Sequence, residues 1–286
     1  MIEIFAISSF FLSIWTLLDG FRLWVLRDIS IPLWENSAIG ISFGNPNFLA
    51  GYLVTVLPFS LSIIWIFKDR LYRLGAIANF ILNILAIIAT NSWAGLLGTL
   101  LCLVLFLGLG KQGQKTLIVI LGFIAIGIVA IIYFKQVKNI GFIAESRERI
   151  FRKVLMSVRK RPILGWGWAN IDYAFENSEW PFRLEHDVYV DKAHATIIEI
   201  LGTTGIVGLA VFIYILFRGG KILYLRMNEN IFVKVLFISL VIYIIHSQTN
   251  IISIGEEAIF WFIVGLAIYY SLPSKKNRYS KFYLHD

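Results

Sequence analysis

The sequence predicts an all-α protein, a polytopic bundle of about eight transmembrane helices with one large extracytoplasmic loop that contains an amphipathic helix. Three observations predict it. Of 286 residues, 58% are hydrophobic and only 15% charged, with a mean hydropathy of +0.76, more apolar than a water-soluble domain's surface allows. Uncharged runs such as Phe48–Phe67, 20 residues long, match the length an α-helix needs to cross a bilayer. Barrel strands would instead alternate apolar and polar residues along each segment. This composition also excludes a disordered chain, a collagen-like repeat and a small disulfide scaffold. The one cysteine, Cys102, allows neither an intrachain disulfide nor a thiolate metal cluster.

The spans are expected at about residues 4–26, 46–67, 74–90, 94–110, 116–134, 195–217, 231–247 and 256–272, within a single membrane domain covering 1–286. In the first, the clean apolar part Ile4–Leu18 is short, and Asp19 and Arg22 stand one turn apart, placed to pair. It has neither the basic start nor the small-residue cleavage site of a signal peptide, so it reads as a span. Orientation follows from Lys and Arg in the short connections. Segments 68–73, 111–115, 218–230 and 273–286 carry 12 of them, whereas 27–45, 91–93 and 248–255 carry only Arg27. The basic set is expected in the cytoplasm, which puts both termini inside and the connection 135–193 outside. That connection has 59 residues with 11 Lys/Arg and 8 Asp/Glu, close to the length at which the charge rule stops applying. The net charge of +8 needs no nucleic-acid partner once it is distributed this way.

Connections this long are functional or disordered, and this one is too aromatic for disorder, with Trp166, Trp168, Tyr173, Phe175, Trp180, Phe182 and Tyr189. Its first part, Ser146 to Pro162, puts Ile150, Phe151, Val154, Leu155 and Val158 on one helical face, with Arg147, Lys153, Arg159 and Lys160 largely elsewhere. It reads as an interfacial basic helix ending at Pro162, and two roles fit it. It rests on anionic headgroups, or its guanidinium groups hold a phosphorylated lipid bidentately. Next comes Leu164-Gly-Trp-Gly-Trp168, which allows tight turning at an interface. Asp187, Asp191, Lys192 and His194 close the connection.

His194 is expected at the outer N-terminus of the sixth span, where the helix dipole disfavours the imidazolium and favours a neutral base. The plainer alternative is a polar residue snorkelling at a span end. Glu199 lies one to two turns into the membrane, where an ionisable group marks a functional site or simply pairs with a neighbouring cation. Asn45 and Asn47 flank Pro46 at the start of the second span, a pattern that a capped helix start fully accounts for. No nucleotide-binding loop, HExxH, GxSxG or paired Asp-x-Asp motif is present.

Four segments, in this order, make the chain resemble the O-antigen ligase and polymerase superfamily over about residues 40–270. They are Gly44-Asn-Pro-Asn-Phe-Leu-Ala50; Ser92-Trp-Ala-Gly-Leu-Leu-Gly98; Arg147-Glu-Arg-Ile-Phe151 with Arg161-Pro-Ile-Leu-Gly-Trp-Gly167; and Ala193-His-Ala-Thr-Ile-Ile-Glu-Ile-Leu201 with Thr204-Gly-Ile-Val-Gly208. The resemblance implies a glycosyltransferase of the bacterial cytoplasmic membrane with its active site facing outward. It would transfer a glycan from a polyprenyl pyrophosphate to an acceptor hydroxyl on a glycan or lipid, with no metal or cofactor and with membrane lipids as surroundings. It assigns His194 as general base and Arg147 as the cation that stabilises the pyrophosphate leaving group, with Arg149, Arg152, Asn45, Asn47 and Glu199 as substrate-binding candidates. Trp93 stands where the family usually has arginine, Ala195 where it has asparagine, and Phe151 where it has tryptophan. One span precedes the Gly-Asn-Pro-Asn segment where members commonly have several, as in an N-terminally short member. Ligase is the first expectation. A polymerase of the same superfamily, and a non-enzymatic membrane protein that binds the lipid carrier, remain open beside it.

Overall fold

The computed structural model describes residues 2–20, 43–109, 147–176 and 192–272. Among these, nine helices and no strands occur: α1 (Ile2–Gly20), α2 (Pro46–Ile66), α3 (Arg70–Ala89), α4 (Trp93–Gly108), α5 (Arg147–Val158), α6 (Ile171–Glu176), α7 (Thr196–Arg226), α8 (Ile231–His246) and α9 (Ile254–Ser271). Helices α1, α2, α3, α7 and α9 are long and apolar enough to cross a membrane, while α4 and α8 are apolar but shorter. Seven of the expected spans therefore fall on helices. The remaining one, 116–134, lies outside the described residues, as do Arg22, Arg27, Asp187, Asp191 and the segment 273–286.

Helix starts follow from their capping residues. Asn45 Oδ1 accepts from Asn47 N–H at 2.8 Å with Pro46 in the first turn, and Asp69, Ser92 and Asn230 cap α3, α4 and α8 in the same manner. At α9, Ser253 and Glu256 form a reciprocal capping box. Helix α2 is the centre of the bundle, packed against α1, α3, α4, α8 and α9, and Leu49, Leu53, Val56, Leu57 and Phe59 are wholly buried. Lipid is as apolar as leucine, so close contact and polar groups must hold such a bundle together. Both are present. Gly95 and Gly98 bring α4 against Ala50 and Val54 of α2, and Asn79 Nδ2 donates to Ala6 O at 2.9 Å and Ser60 Oγ at 3.2 Å, joining α3 to α1 and α2.

Two boundaries differ from expectation. Helix α7 runs on to Arg226, so Arg218, Lys221 and Arg226 stand on a helix rather than in a connection, with Gly219 packed on Ala267. Helix α5 stops at Val158, four residues before Pro162. Arg159, Lys160 and Arg161 then donate to the carbonyls three residues back, which winds the last turn too tightly to continue as an α-helix. The buried face of α5 is also rotated: Ile150, Lys153, Val154 and Ser157 face inward, whereas Leu155 is exposed. Lys153 tolerates burial because its Nζ lies 3.8 Å from the Phe175 ring centroid. Ile150, Val154, Ile171, Ala174, Phe175 and Ala193 form a small core of their own, distinct from the bundle's.

Candidate functional site

Helix α7 is interrupted at Gly205, where φ 66° and ψ −166° leave the helical region. The amides and carbonyls freed by the break are taken up by the turn after α5. Trp166 N–H donates to Gly202 O at 3.0 Å, Gly167 N–H to Thr203 O at 2.8 Å, Ile206 N–H to Pro162 O at 2.9 Å and Val207 N–H to Ile163 O at 3.3 Å. Non-helical backbone is tolerated within an apolar bundle only when satisfied in this way. The two backbones approach so closely at Gly165 and Gly205 that a Cβ on either would collide with the other segment's main chain. Trp166 adds a side-chain tie, its Nε1–H donating to Ser157 O at 3.1 Å with the Arg161 guanidinium 4.4 Å from its ring centroid.

Ten residues before the break, α7 begins without a side-chain cap, since Ala195 occupies the capping position. The connection between α8 and α9 supplies what is missing. Thr196 N–H donates to Ser247 O at 2.9 Å and Ile197 N–H to Gln248 Oε1 at 3.2 Å. His194, just ahead of the helix, has φ 57°, a left-handed conformation uncommon outside glycine. Glu199 accepts from Ala193 N–H at 2.6 Å and lies 3.6 Å from Lys192 Nζ, so it fastens the chain around His194.

His194 and Glu199 line one cavity of about 480 Å³ between α7, α9 and the α8–α9 connection. Lys192, Asn250, Glu257 and Trp168 surround its polar end. Along α7 and α9 the walls become apolar, through Val211, Phe212, Ile215, Phe260 and Trp261. A ligand with a polar head and a long apolar tail matches that gradient in chemical character.

The other expected site residues are distributed as follows. Arg147 and Arg149 are in the first turn of α5, which packs against α6 and α7, but their side chains lie outside the described residues, and with them the expected facing of Arg147 and His194. Arg152 is exposed on the same helix. Asn45 caps α2, and Asn47 Oδ1 accepts from Ser92 Oγ–H at 2.7 Å; neither is among the described residues lining the cavity. Sequence reasoning passed over Asn250 and Glu257, and over a buried pair behind them, His246 with Glu256. The available signals were the Ser253-to-Glu256 capping spacing and a histidine at the end of an apolar run.

The architecture is that of an integral membrane protein with an amphipathic cavity beneath a broken helix. Residues 78–213 match the family model described as O-antigen ligase, which supports the resemblance of this segment to the O-antigen ligase and polymerase superfamily. The matched segment contains the second half of α3, all of α4, α5 and α6, and the first part of α7, with His194, Glu199 and the α7 wall of the cavity as far as Phe212. No curated protein matches the chain.

Proposed function

We propose that the chain is an O-antigen ligase-like glycosyltransferase, moving a glycan from a polyprenyl pyrophosphate carrier to an acceptor hydroxyl on the outer face of the bacterial cytoplasmic membrane, with eight spans and residues 135–193 outside. The observation that carries this reading is the cavity itself, where His194 and Glu199 share a polar end continuous with an apolar wall. The acceptor oxygen attacks the anomeric carbon, and the bond from that carbon to the pyrophosphate oxygen breaks with its electron pair retained by the leaving group. His194 takes the acceptor proton. Arg147, with Arg149 and Arg152 near it in sequence on α5, stabilises the charge that grows on the pyrophosphate. Asn45 and Asn47 fix the start of α2, outside the described lining of the cavity, and Glu199 holds the segment around His194.

The test is glycan transfer by the full-length protein reconstituted in liposomes with carrier-linked glycan and acceptor. A general base is worth about 10²–10⁴-fold, so His194→Ala is expected to lose that factor while carrier binding is retained. Arg147→Lys is expected to lose rate as well, because lysine lacks the bidentate fork. Full activity in both variants would overturn the reading, and binding without transfer by the unaltered protein would favour the carrier-binding alternative. Product length separates a ligase from a polymerase in the same assay.

A further inference from the structure

Outside the matched segment, His246 ends α8 and Glu256 lies in the first turn of α9, with His246 Nδ1 2.9 Å from Glu256 Oε1 and both side chains 1% exposed. Ionisable groups buried in an apolar bundle are costly, and removing one partner leaves the other uncompensated. The bundle is shaped around this pair. Gly51 of α2 lies directly against it, and a Cβ there would collide with the Glu256 carboxylate and the His246 ring. A helix cap accounts for one carboxylate oxygen only: Ser253 N–H and Oγ–H both donate to Glu256 Oε2 at 3.0 Å. The other oxygen faces His246, whose Nε2 lies 3.5 Å from Asn250 Nδ2, and Asn250 lines the cavity.

The pair therefore fastens the connection 247–253 near its start, at Asn250 and at Ser253. The same connection gives Ser247 O and Gln248 Oε1 to the first two amides of α7, directly after His194. We propose that His246 and Glu256 are positioning residues for His194: they hold the 247–253 connection, which holds the first turn of α7 and so the place of the imidazole in the cavity. Neither touches substrate. This rests on reading His194 as the general base. A base must come within about 2.6–3.2 Å of the proton it takes, and a displacement of about 1 Å can cost roughly 100-fold. Loosening the connection should therefore slow the chemical step and leave carrier affinity unchanged.

The experiment is a double-mutant cycle by single-turnover transfer, using the full-length protein in liposomes and a labelled carrier-linked glycan. Glu256→Gln is expected to lower the rate about 100-fold and Gln248→Ala about tenfold, with half-saturation by carrier unchanged. In a His194→Ala background neither is expected to lower it further, since both act through the imidazole. Gln248 is half-buried and its side chain bonds to Ile197 N–H, Ile244 O and Ser247 Oγ, so Gln248→Ala carries the test if Glu256→Gln fails to give monodisperse protein. An equal loss in both backgrounds would mean a merely structural role and overturn the proposal. So would full rate in Glu256→Gln or Gln248→Ala when His194→Ala is impaired. Wild-type rate in His194→Ala would instead remove the base reading itself, and the proposal with it.

Discussion

At His194 the chemistry of the side chain and the conformation of the backbone pull in different directions. The imidazole lines the cavity, yet φ 57° is a conformation that costs a residue with a Cβ about 1–2 kcal/mol. Glycine there would relieve that cost, so His194→Gly should be more stable than His194→Ala by about 1 kcal/mol in thermal unfolding of the detergent-solubilised protein, although both lack the imidazole. Equal melting would show that the left-handed turn carries no strain. The residue type and its place before an apolar run were legible in the sequence. The strained turn was not, because it is imposed by bonds to Ser247 and Gln248 some fifty residues away rather than by its neighbours Ala193 and Ala195.

Helix α7 shows the same limit at the level of an element. Hydropathy reads residues 195–217 as one span because Gly205-Ile-Val-Gly208 is apolar throughout, and a break whose backbone groups are satisfied from residues 162–167 leaves no local trace. Residues 161–167 and 204–208 are both motif segments in the sequence, but only the folded chain shows that they grip each other. Gly205→Ala would require a left-handed alanine and a collision with the Ile163 carbonyl, with four hydrogen bonds at risk. It is expected to cost more than about 3 kcal/mol and to abolish monodisperse protein in size-exclusion chromatography. Gly75→Ala in α3, with open space around the glycine, is the control and should leave the elution profile unchanged.

For the whole molecule, the five long apolar helices are legible because length and apolarity are all that a lipid-facing helix needs, and the shorter α4 and α8, at 16 residues, also fall on apolar runs of the sequence. What composition could not give is which helix lies at the centre: α2 differs little in hydropathy from α1 and α3 yet is the most buried of the five long helices. The segment from Ile206 to Arg226 is about 31 Å long at 1.5 Å per residue, enough to cross the hydrocarbon core without the turn of the helix that carries Glu199. In the proposed topology the cavity's polar end falls at headgroup level, on the leaflet that the basic connections assign. A cysteine placed at Ser178 is expected to react with an impermeant reagent from outside the cell only, and Cys102, being buried, should stay unlabelled. Labelling of residue 178 from the cytoplasmic side alone would reverse the orientation.

The fastening of the broken helix also bears on how such a protein can diversify. The chain leaves α6, which is seated on α5 and α7, and returns at Lys192 and Ala193, which Glu199 holds in place. For a flexible connection between two such fixed anchors, each doubling of length costs only about 0.6 kcal/mol. Under the proposed transfer reaction, a different acceptor would be accommodated by rewriting that stretch alone, with His194 and the apolar wall inherited unchanged.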